Sequence, residues 1–238
     1  MTLDNRVQTE YGAKKQSKSK FVIVATHGAK DDLMTAEIAE EIAKIMSAGF
    51  VVNTRYKRIE CDLNNIKDIE LNSRKNRFYR DIDEIAEDAK QYSAKEHDGC
   101  EHAVIVHIHG MKNRGDHGID IGIGAKWNKK KKKYQGAKYH PEAVDFETGK
   151  RCGGKVRANI EMTAKMRRKI DGELKTEKGK RAWIGKYFAA WKQERGIQYH
   201  AGTDHHAMQI EICESLRNEP RYIASKIAEA LQEAYEKM

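Results

Sequence analysis

The chain has 238 residues, of which 39% are apolar and 34% charged, and it carries a formal net charge of +9. Its mean hydropathy of −0.82 and the lack of any apolar run of about 18 residues exclude a transmembrane helix. The polar residues 1–19 contain no apolar signal sequence, so we predict a flexible leader followed by one cytoplasmic domain over 20–238. The cysteines form no CxxC pair and are expected to be ordinary thiols.

Apolar runs and helical spacing alternate along the chain. The predicted elements, in chain order, are a strand over 20–26, a helix from Thr35, a strand over 50–57, a helix over 78–95, strands over 102–109 and 118–124, helices over 156–174 and 182–195, a strand over 207–213 and a helix from Pro220. Strands separated by helices indicate a mostly parallel sheet with helices on both faces. We therefore predict an α/β fold with three α/β/α layers around a mixed, mostly parallel sheet.

Residues 125–153 are rich in lysine and glycine and show no periodicity, so we predict a loop insertion within the domain. Five consecutive lysines occupy 129–133, and their mutual repulsion predicts a solvated loop. A surface for nucleic acid is the alternative. No aromatic residue interrupts the lysine run and no recognised motif accompanies it, so the solvated loop is preferred.

Two predicted strands end in a His-Gly dipeptide, at His27 and at His109. Because the carboxyl ends of parallel strands meet at one edge of a sheet, the two imidazoles are expected to lie close together. Asp31 and Asp32 follow His27 within five residues, and two imidazoles with one carboxylate are a common ligand set for catalytic zinc. The alternatives are a hydrogen-bonded core histidine and, for the aspartates, capping of the helix that follows.

The strand over 207–213 places Gln209, Glu211 and Cys213 on one face. A glutamate inside a central strand loses its hydration, which is costly unless it is paired or faces a cavity. Such a carboxylate suits a general base that takes a proton from water beside a metal. A solvated glutamate on an edge strand is the alternative.

Four short segments, spread from about residue 20 to 216, occur in one order: HGAKDDLMTAEIA, RIECDLNN, IHGM with GIDIGIG, and MQIEIC. Together they resemble the superfamily of N-formylglutamate amidohydrolases and poly-γ-glutamate hydrolases. The resemblance implies a zinc-carboxypeptidase-like fold, also called phosphorylase/hydrolase-like. It also implies a hydrolase that cleaves an amide next to a carboxylate-bearing group.

Carried over to this sequence, the resemblance implies that His27, Asp32 and His109 hold Zn²⁺ and that Glu211 is the general base. The family's acidic ligand is usually a glutamate, and here it is the shorter Asp32. Glu37 therefore stays open as the alternative acidic ligand.

The segment RIECDLNN at 58–65 supplies polar groups suited to a substrate carboxylate or a developing oxyanion. Arg58 is the candidate for stabilising the oxyanion, and Asn65 stands where the family usually has an arginine. Arg74 or Arg77 could replace that missing arginine. The candidates for binding the substrate are Arg58, Asp62, Asn64 and Arg77.

We therefore expect a zinc-dependent amidohydrolase that acts on an N-acyl amino acid or a glutamate-type substrate, small or polymeric. The alternative is a binding module without catalysis, whose lysine-rich loop contacts nucleic acid or another polyanion. A third hypothesis combines the two, with the basic loop attracting a polyanionic substrate. The oligomeric state does not follow from the sequence.

Overall fold

The computed structural model describes residues 6–96, 102–128, 133–136, 157–192 and 194–235. The strands are β1 (Val7–Gln8), β2 (Gly12–Lys15), β3 (Phe21–Ala25), β4 (Gly49–Asn53), β5 (Val104–Met111), β6 (His117–Gly122), β7 (Ala125–Asn128), β8 (Lys133–Gly136), β9 (Arg181–Ile184) and β10 (His206–Cys213). The helices are α1 (Thr35–Ile45), α2 (Ser73–Glu96), α3 (Ile160–Lys178), α4 (Glu214–Arg217) and α5 (Pro220–Tyr235), with a 3-10 helix over Gly196–Gly202.

Eight strands form one sheet in the order β1-β2-β4-β3-β5-β10-β6-β9. The central strands β4, β3, β5 and β10 run parallel, as do β6 and β9. The pairs β1 with β2, β2 with β4, and β10 with β6 are antiparallel. The predicted mixed, mostly parallel sheet is confirmed. No helix in the described ranges is long and apolar enough to cross a membrane.

Alternate residues of the buried strands supply two apolar cores, one on each face of the sheet. In β3, Ile23 packs in a core with α1, α3 and α5. Its neighbours Val22 and Val24 pack in a second core with Phe78 and Ile82 of α2. Helices therefore cover both faces, and the three-layer α/β/α architecture is confirmed. Both cores thus pack against the strands whose carboxyl ends carry the candidate site.

The N-terminal segment departs from the predicted flexible leader over 1–19, because Val7–Gln8 and Gly12–Lys15 are strands of the sheet. β2 pairs antiparallel with β4, and Gly12 adopts φ 153° where a side chain would collide with the Val52 carbonyl. Tyr11 is fully buried and donates a hydrogen bond of 2.7 Å to Asp81. β1 forms the edge of the sheet and β2 lies next to it, and backbone hydrogen bonds supply the pairing of these two short strands, so few apolar side chains are needed. The polar composition of residues 1–19 therefore did not indicate strands.

Two further expectations concern the second half of the chain. The helix predicted over 182–195 is wrong, because β9 pairs with β6 at the edge of the sheet and an irregular segment follows it. Within the predicted insertion over 125–153, β7 and β8 form a separate antiparallel pair. Residues 129–132 and 137–156, including most of the lysine run over 129–133, lie outside the described residues. The role of that run stays a prediction.

Candidate metal centre

Three parallel strands bring the predicted chemistry to one edge of the sheet. His27 follows β3 by two residues, and His109 lies near the end of β5. β3 and β5 are neighbours in the sheet, so the two histidines meet with their ring centroids 5.3 Å apart. In the next strand, Glu211 lies directly opposite His109 in the register of β10 and β5. The strand-end argument from sequence therefore predicted this meeting correctly.

Asp32 completes a cluster with the two histidines. Its Oδ2 lies 3.3 Å from Nδ1 of His27 and 3.7 Å from Nδ1 of His109. The backbone N–H of Gly110 donates to the same oxygen at 3.1 Å. The candidate ligand atoms of the three residues all lie within 4.8 Å of one another, and all three residues are buried. Bonds of about 2.0–2.2 Å to zinc place ligand atoms about 3–4 Å apart, so this donor set fits such an ion.

Asp32, and not Glu37, lies with the two histidines. Glu37 is exposed on α1, whereas Asp32 faces the histidines. Capping does not occupy the aspartates either, because Met34 is the N-cap residue of α1 and no side chain caps that end. The loop before α1 instead bends through positive φ at Lys30 and Met34. Asp32 is therefore the acidic member of the cluster.

The two nitrogens of His27 have different partners. Nε2 lies 2.8 Å from the Asp62 carboxylate. With its proton on Nε2, the ring keeps a lone pair on Nδ1, which faces the cluster. The Arg58 guanidinium lies 2.8 Å from that Nδ1 and 3.5 Å from Oδ1 of Asp32. A positive group thus already lies against two of the three donors, as expected of a position that suits a cation.

Two of the three side chains in the cluster are held in the form that binds a metal. Burial alone would raise the pKa of Asp32, but hydrogen bonding to His109 and His27 outweighs it and holds the pKa well below its usual range. Burial lowers the pKa of His109 despite the neighbouring Asp32. In His27 the carboxylates of Asp32 and Asp62 overcome the effect of burial and raise the pKa. Asp32 is therefore ionised and His109 neutral near pH 7.

Glu211 is a buried acid next to this cluster. Burial, followed by the negative charges of Asp32 and Asp120, raises its pKa to about 8, while Arg58 and Arg195 oppose the shift. The side-chain amide of Gln209 donates to Oε1 of Glu211 at 2.6 Å and orients the carboxyl group. A carboxyl group whose pKa lies near neutrality can both accept and return a proton. The sequence-based choice of Glu211 as a proton carrier agrees with this environment.

Asp120 forms a second buried carboxylate close by, and sequence reasoning missed it. It lies opposite Glu211 in the register of β6 and β10. Its oxygens accept three successive backbone N–H groups, from Lys186 at 3.0 Å, Tyr187 at 2.6 Å and Phe188 at 3.0 Å. Asp120 therefore fixes the start of the irregular segment after β9. The available signal was an acidic residue inside the apolar run GIDIGIG.

A cavity of about 370 Å³ opens over the cluster. Its lining includes His27, Asp32, His109, Glu211, Arg58, Asp62 and Asn64, and also Lys192 and Arg195 from the segment after β9. Sequence reasoning missed both of these cations, because a single lysine and a single arginine in an unpatterned segment carry no local signal. The tertiary structure alone brings them to the cavity.

The predicted substrate-binding residues have different positions. Arg77 is more than half exposed, pairs with Asp81 at 3.3 Å and does not line the cavity. Arg74 lies 4.7 Å from the ring of Tyr56 and is also absent from the lining. The structure therefore places neither of them where an arginine after Asp-Leu-Asn was expected.

Asp62 and Asn64 do lie in the cavity wall, but each has a structural partner. Asp62 accepts a hydrogen bond from the backbone of Asn64 at 3.0 Å and contacts His27. The Asn64 side-chain oxygen accepts a hydrogen bond from the backbone N–H of Gly196 at 3.0 Å. Asp62 thus supports a candidate ligand, and Asn64 holds the segment that carries Arg195.

An α/β/α sandwich with this sheet has the zinc-carboxypeptidase-like fold, and solved structures share it. N-formylglutamate amidohydrolase from Ralstonia eutropha JMP134 is 11% identical with a TM-score of 0.56, covering 98% of each chain. The gene product Atu2144 from Agrobacterium tumefaciens is 12% identical with a TM-score of 0.55, covering 92% of this chain and 90% of its own. Csd4 from Helicobacter pylori, a D,L-carboxypeptidase, is 12% identical with a TM-score of 0.52, covering 94% of this chain and 54% of its own.

These likenesses confirm the fold that the four sequence segments implied. Two of these structures bear the names of hydrolases acting on amide or peptide bonds. No protein-family model matches the sequence, and no curated protein matches it significantly. At identities this low the shared property is the fold, and the chemistry must be argued from the residues of this chain.

Proposed function

We propose that this protein is a zinc-dependent amidohydrolase in which His27, Asp32 and His109 hold the metal. One observation carries the proposal: three donor atoms lie within 4.8 Å of one another in the wall of a cavity. The buried acid Glu211 lines the same cavity. A metal with an open coordination position beside a proton carrier is the arrangement that metal-assisted hydrolysis requires.

When bound, Zn²⁺ supplies a Lewis acid that activates water and polarises a carbonyl group. Glu211 accepts the proton of the attacking water and later returns it to the leaving amine. Arg58, whose guanidinium lies beside the cluster, stabilises negative charge on the carbonyl oxygen, a contribution of about 3 kcal/mol for a well-placed donor. Asp62 keeps the proton of His27 on Nε2 and so keeps Nδ1 available to the metal.

The substrate is an amide that bears a carboxylate, such as an N-acyl amino acid or a glutamate-type compound. The cationic side chains Arg58, Lys192 and Arg195 in the cavity lining support this class. A polymeric substrate remains within the proposal, with the basic run over 129–133 attracting the polymer. Turnover of polymer would then fall with added salt, while turnover of a small N-acyl amino acid would not.

The test combines metal analysis with turnover. Purified wild type should contain about one zinc per chain, and His109→Ala little. Glu211→Gln should keep the zinc and lose turnover of N-acyl amino acids, because only the proton carrier is removed. Glu37→Gln changes an exposed carboxylate five residues after Asp32 in the sequence and is the matched control, which should keep both. Wild type that takes up no zinc at neutral pH, or a fully active Glu211→Gln, contradicts the proposal.

The second candidate is a polyanion-binding module without catalysis, favoured by the net charge of +9 and the lysines over 129–133. It predicts an affinity for DNA or RNA that falls steeply with salt and is lost when 129–133 is deleted. A zinc-loaded protein with turnover and no such affinity excludes it.

A further inference from the structure

Two cations in the cavity lining form no salt bridge with a carboxylate in the described part of the chain. Lys192 and Arg195 both line the cavity, and no described carboxylate lies within 4.0 Å of either side-chain charge. Arg181 in the edge strand β9, by contrast, is paired with Asp171 at 2.8 Å. A cavity that keeps two cations without partners is suited to an anionic ligand.

The segment that carries these cations is held at its beginning by buried groups. We call residues 186–192 and 194–196 the recognition segment. Asp120 binds the first three backbone N–H groups of this segment. Next, the Ala189 carbonyl accepts a hydrogen bond from Gly124 at 2.8 Å, and the Ala190 carbonyl accepts one from the Gln198 side chain at 2.9 Å. The cations therefore project from a fixed backbone.

The end of the recognition segment is tied to the segment RIECDLNN and the residue after it. The Ile66 N–H donates to the Glu194 carbonyl at 3.0 Å, and Asn65 forms a β-bridge with Arg195. The Gly196 N–H donates to the Asn64 side chain. Arg195 is thereby placed beside Asn65, which is uncharged. At this position the positive charge therefore comes from the recognition segment and not from Asn65. A side chain on a pre-organised backbone loses less entropy when it binds a ligand.

The charge of the lining supports the same conclusion. Among the described lining residues, three are cationic and three are acidic. Asp32, Asp62 and Glu211 are the acids, and hydrogen bonds or the metal cluster engage each of them. A divalent metal adds two further positive charges, so the loaded cavity attracts anions. Arg58 contacts His27 and Asp32 beside the metal cluster, so Lys192 and Arg195 are the lining cations placed for a carboxylate of the ligand.

We propose that Arg195, assisted by Lys192, binds a carboxylate of the substrate, and that the recognition segment therefore determines selectivity for anionic over neutral amides. This inference rests on the proposed function and deepens it. Arg195 supplies a bidentate pair to the carboxylate, and Lys192 adds a point charge. Arg58 serves the reacting carbonyl, so charge selectivity and the chemical step reside in different arginines.

Kinetics on a matched pair of substrates test the inference. The zinc-loaded enzyme is assayed with an N-acyl glutamate and with its neutral diamide. Arg195→Gln should raise KM for the acid about 10- to 100-fold, because ground-state binding of the charge is lost. Arg195 also acts on the pKa of Glu211, so the variants are compared at the plateau of each pH profile, where kcat and the diamide kinetics should stay within about threefold. Arg195→Lys should restore part of the loss, and Lys192→Gln should raise KM by about threefold. Arg77→Gln, outside the cavity, should change nothing.

A binding measurement separates this inference from the proposed function. Glutarate, a dicarboxylate that is not hydrolysed, is titrated calorimetrically into wild type and Arg195→Gln at equal zinc content. Weaker binding by about tenfold or more in the variant supports the subsite, even if no amide is ever turned over. Equal glutarate affinity, or an equal loss of activity on the acid and the diamide, overturns the subsite while leaving amide hydrolysis standing. The thermal midpoint of each variant shows whether it is folded.

Discussion

Two pairs of buried histidines lie side by side in this molecule, and they differ in one neighbour. His27 and His109 have Asp32 between them, whereas His107 and His200 contact each other through their Nε2 atoms at 3.3 Å. The Nδ1 atoms of the second pair have no partner in the described part of the chain. The rings of His107 and His109 stack at 6.4 Å, so both pairs share one strand and one face.

The difference shows what turns buried imidazoles into a candidate metal site. Burial, with a smaller effect of nearby positive charge, lowers the pKa of His200 to about 3 and lowers that of His107 well below its usual value. Both rings are therefore neutral at pH 7, and among the described residues no carboxylate pairs with either of them to help hold a cation. Asp32 provides that negative charge in the first pair. β5 supplies one histidine to each pair. The loop before α1 supplies Asp32 to the first pair only, and so makes that pair the candidate metal site.

The change with the largest expected effect makes the first pair resemble the second. Asp32→Asn replaces the ionised ligand by a neutral amide of the same shape, so zinc affinity should fall by at least about 100-fold. Competition against a chromogenic chelator measures the affinity. Glu37→Gln removes a carboxylate five residues away and should leave it unchanged. Equal zinc affinity in Asp32→Asn would remove Asp32 from the ligand set.

A smaller effect is expected from the partner of His27. Asp62→Asn no longer holds the proton on Nε2 as a carboxylate does, so zinc affinity should fall about 10- to 100-fold. The same chelator competition measures it, with the thermal midpoint of metal-free protein recorded alongside. Affinity equal to that of wild type would mean that Asp62 does not orient the ring.

The second pair should affect acid stability and not metal binding. The folded-state pKa of His200 lies below its unfolded value, so the unfolded chain binds more protons as pH falls from about 6.5 towards 3, and the folded state loses stability there by about 1.4 kcal/mol per pH unit. His200→Leu removes this contribution, so its stability should depend less on pH between 6 and 4. Urea unfolding at several pH values measures it, and an unchanged slope contradicts the assignment.

Asp120, which holds the recognition segment, should affect stability and substrate binding. Asp120→Asn weakens three backbone hydrogen bonds, so we expect a loss of about 1–3 kcal/mol in the free energy of unfolding and a several-fold rise in KM for the N-acyl glutamate. Asp171→Asn is the matched control, because Asp171 binds Arg181 and the Ala182 N–H at the same edge strand, outside the cavity. It should lower stability and leave KM unchanged. Equal KM changes in both variants would point to general loosening of β9.

Much of the fold and the candidate metal site could be predicted from the sequence. Apolar alternation located β3, β5 and β10, and with them the strand ends that carry His27, His109 and Glu211. These inferences succeed because the side-chain period of a strand is local, and because parallel strands bring their carboxyl ends to one edge. The short strand β2 was not predicted, because backbone pairing with β1 and β4 holds it in the sheet and composition does not reveal that pairing.

Only the tertiary structure decided the rest of the site. Three contacts join residues that are far apart in sequence. Asp62 contacts His27, Asp120 accepts backbone hydrogen bonds from the recognition segment, and Arg195 forms a β-bridge with Asn65. Such contacts depend on strand order and on the path of irregular segments, for which the chain has no repeating pattern. The sequence by itself therefore identifies the residues that could bind a metal. The tertiary contacts determine which partners orient these residues and which cations line the cavity to select a substrate.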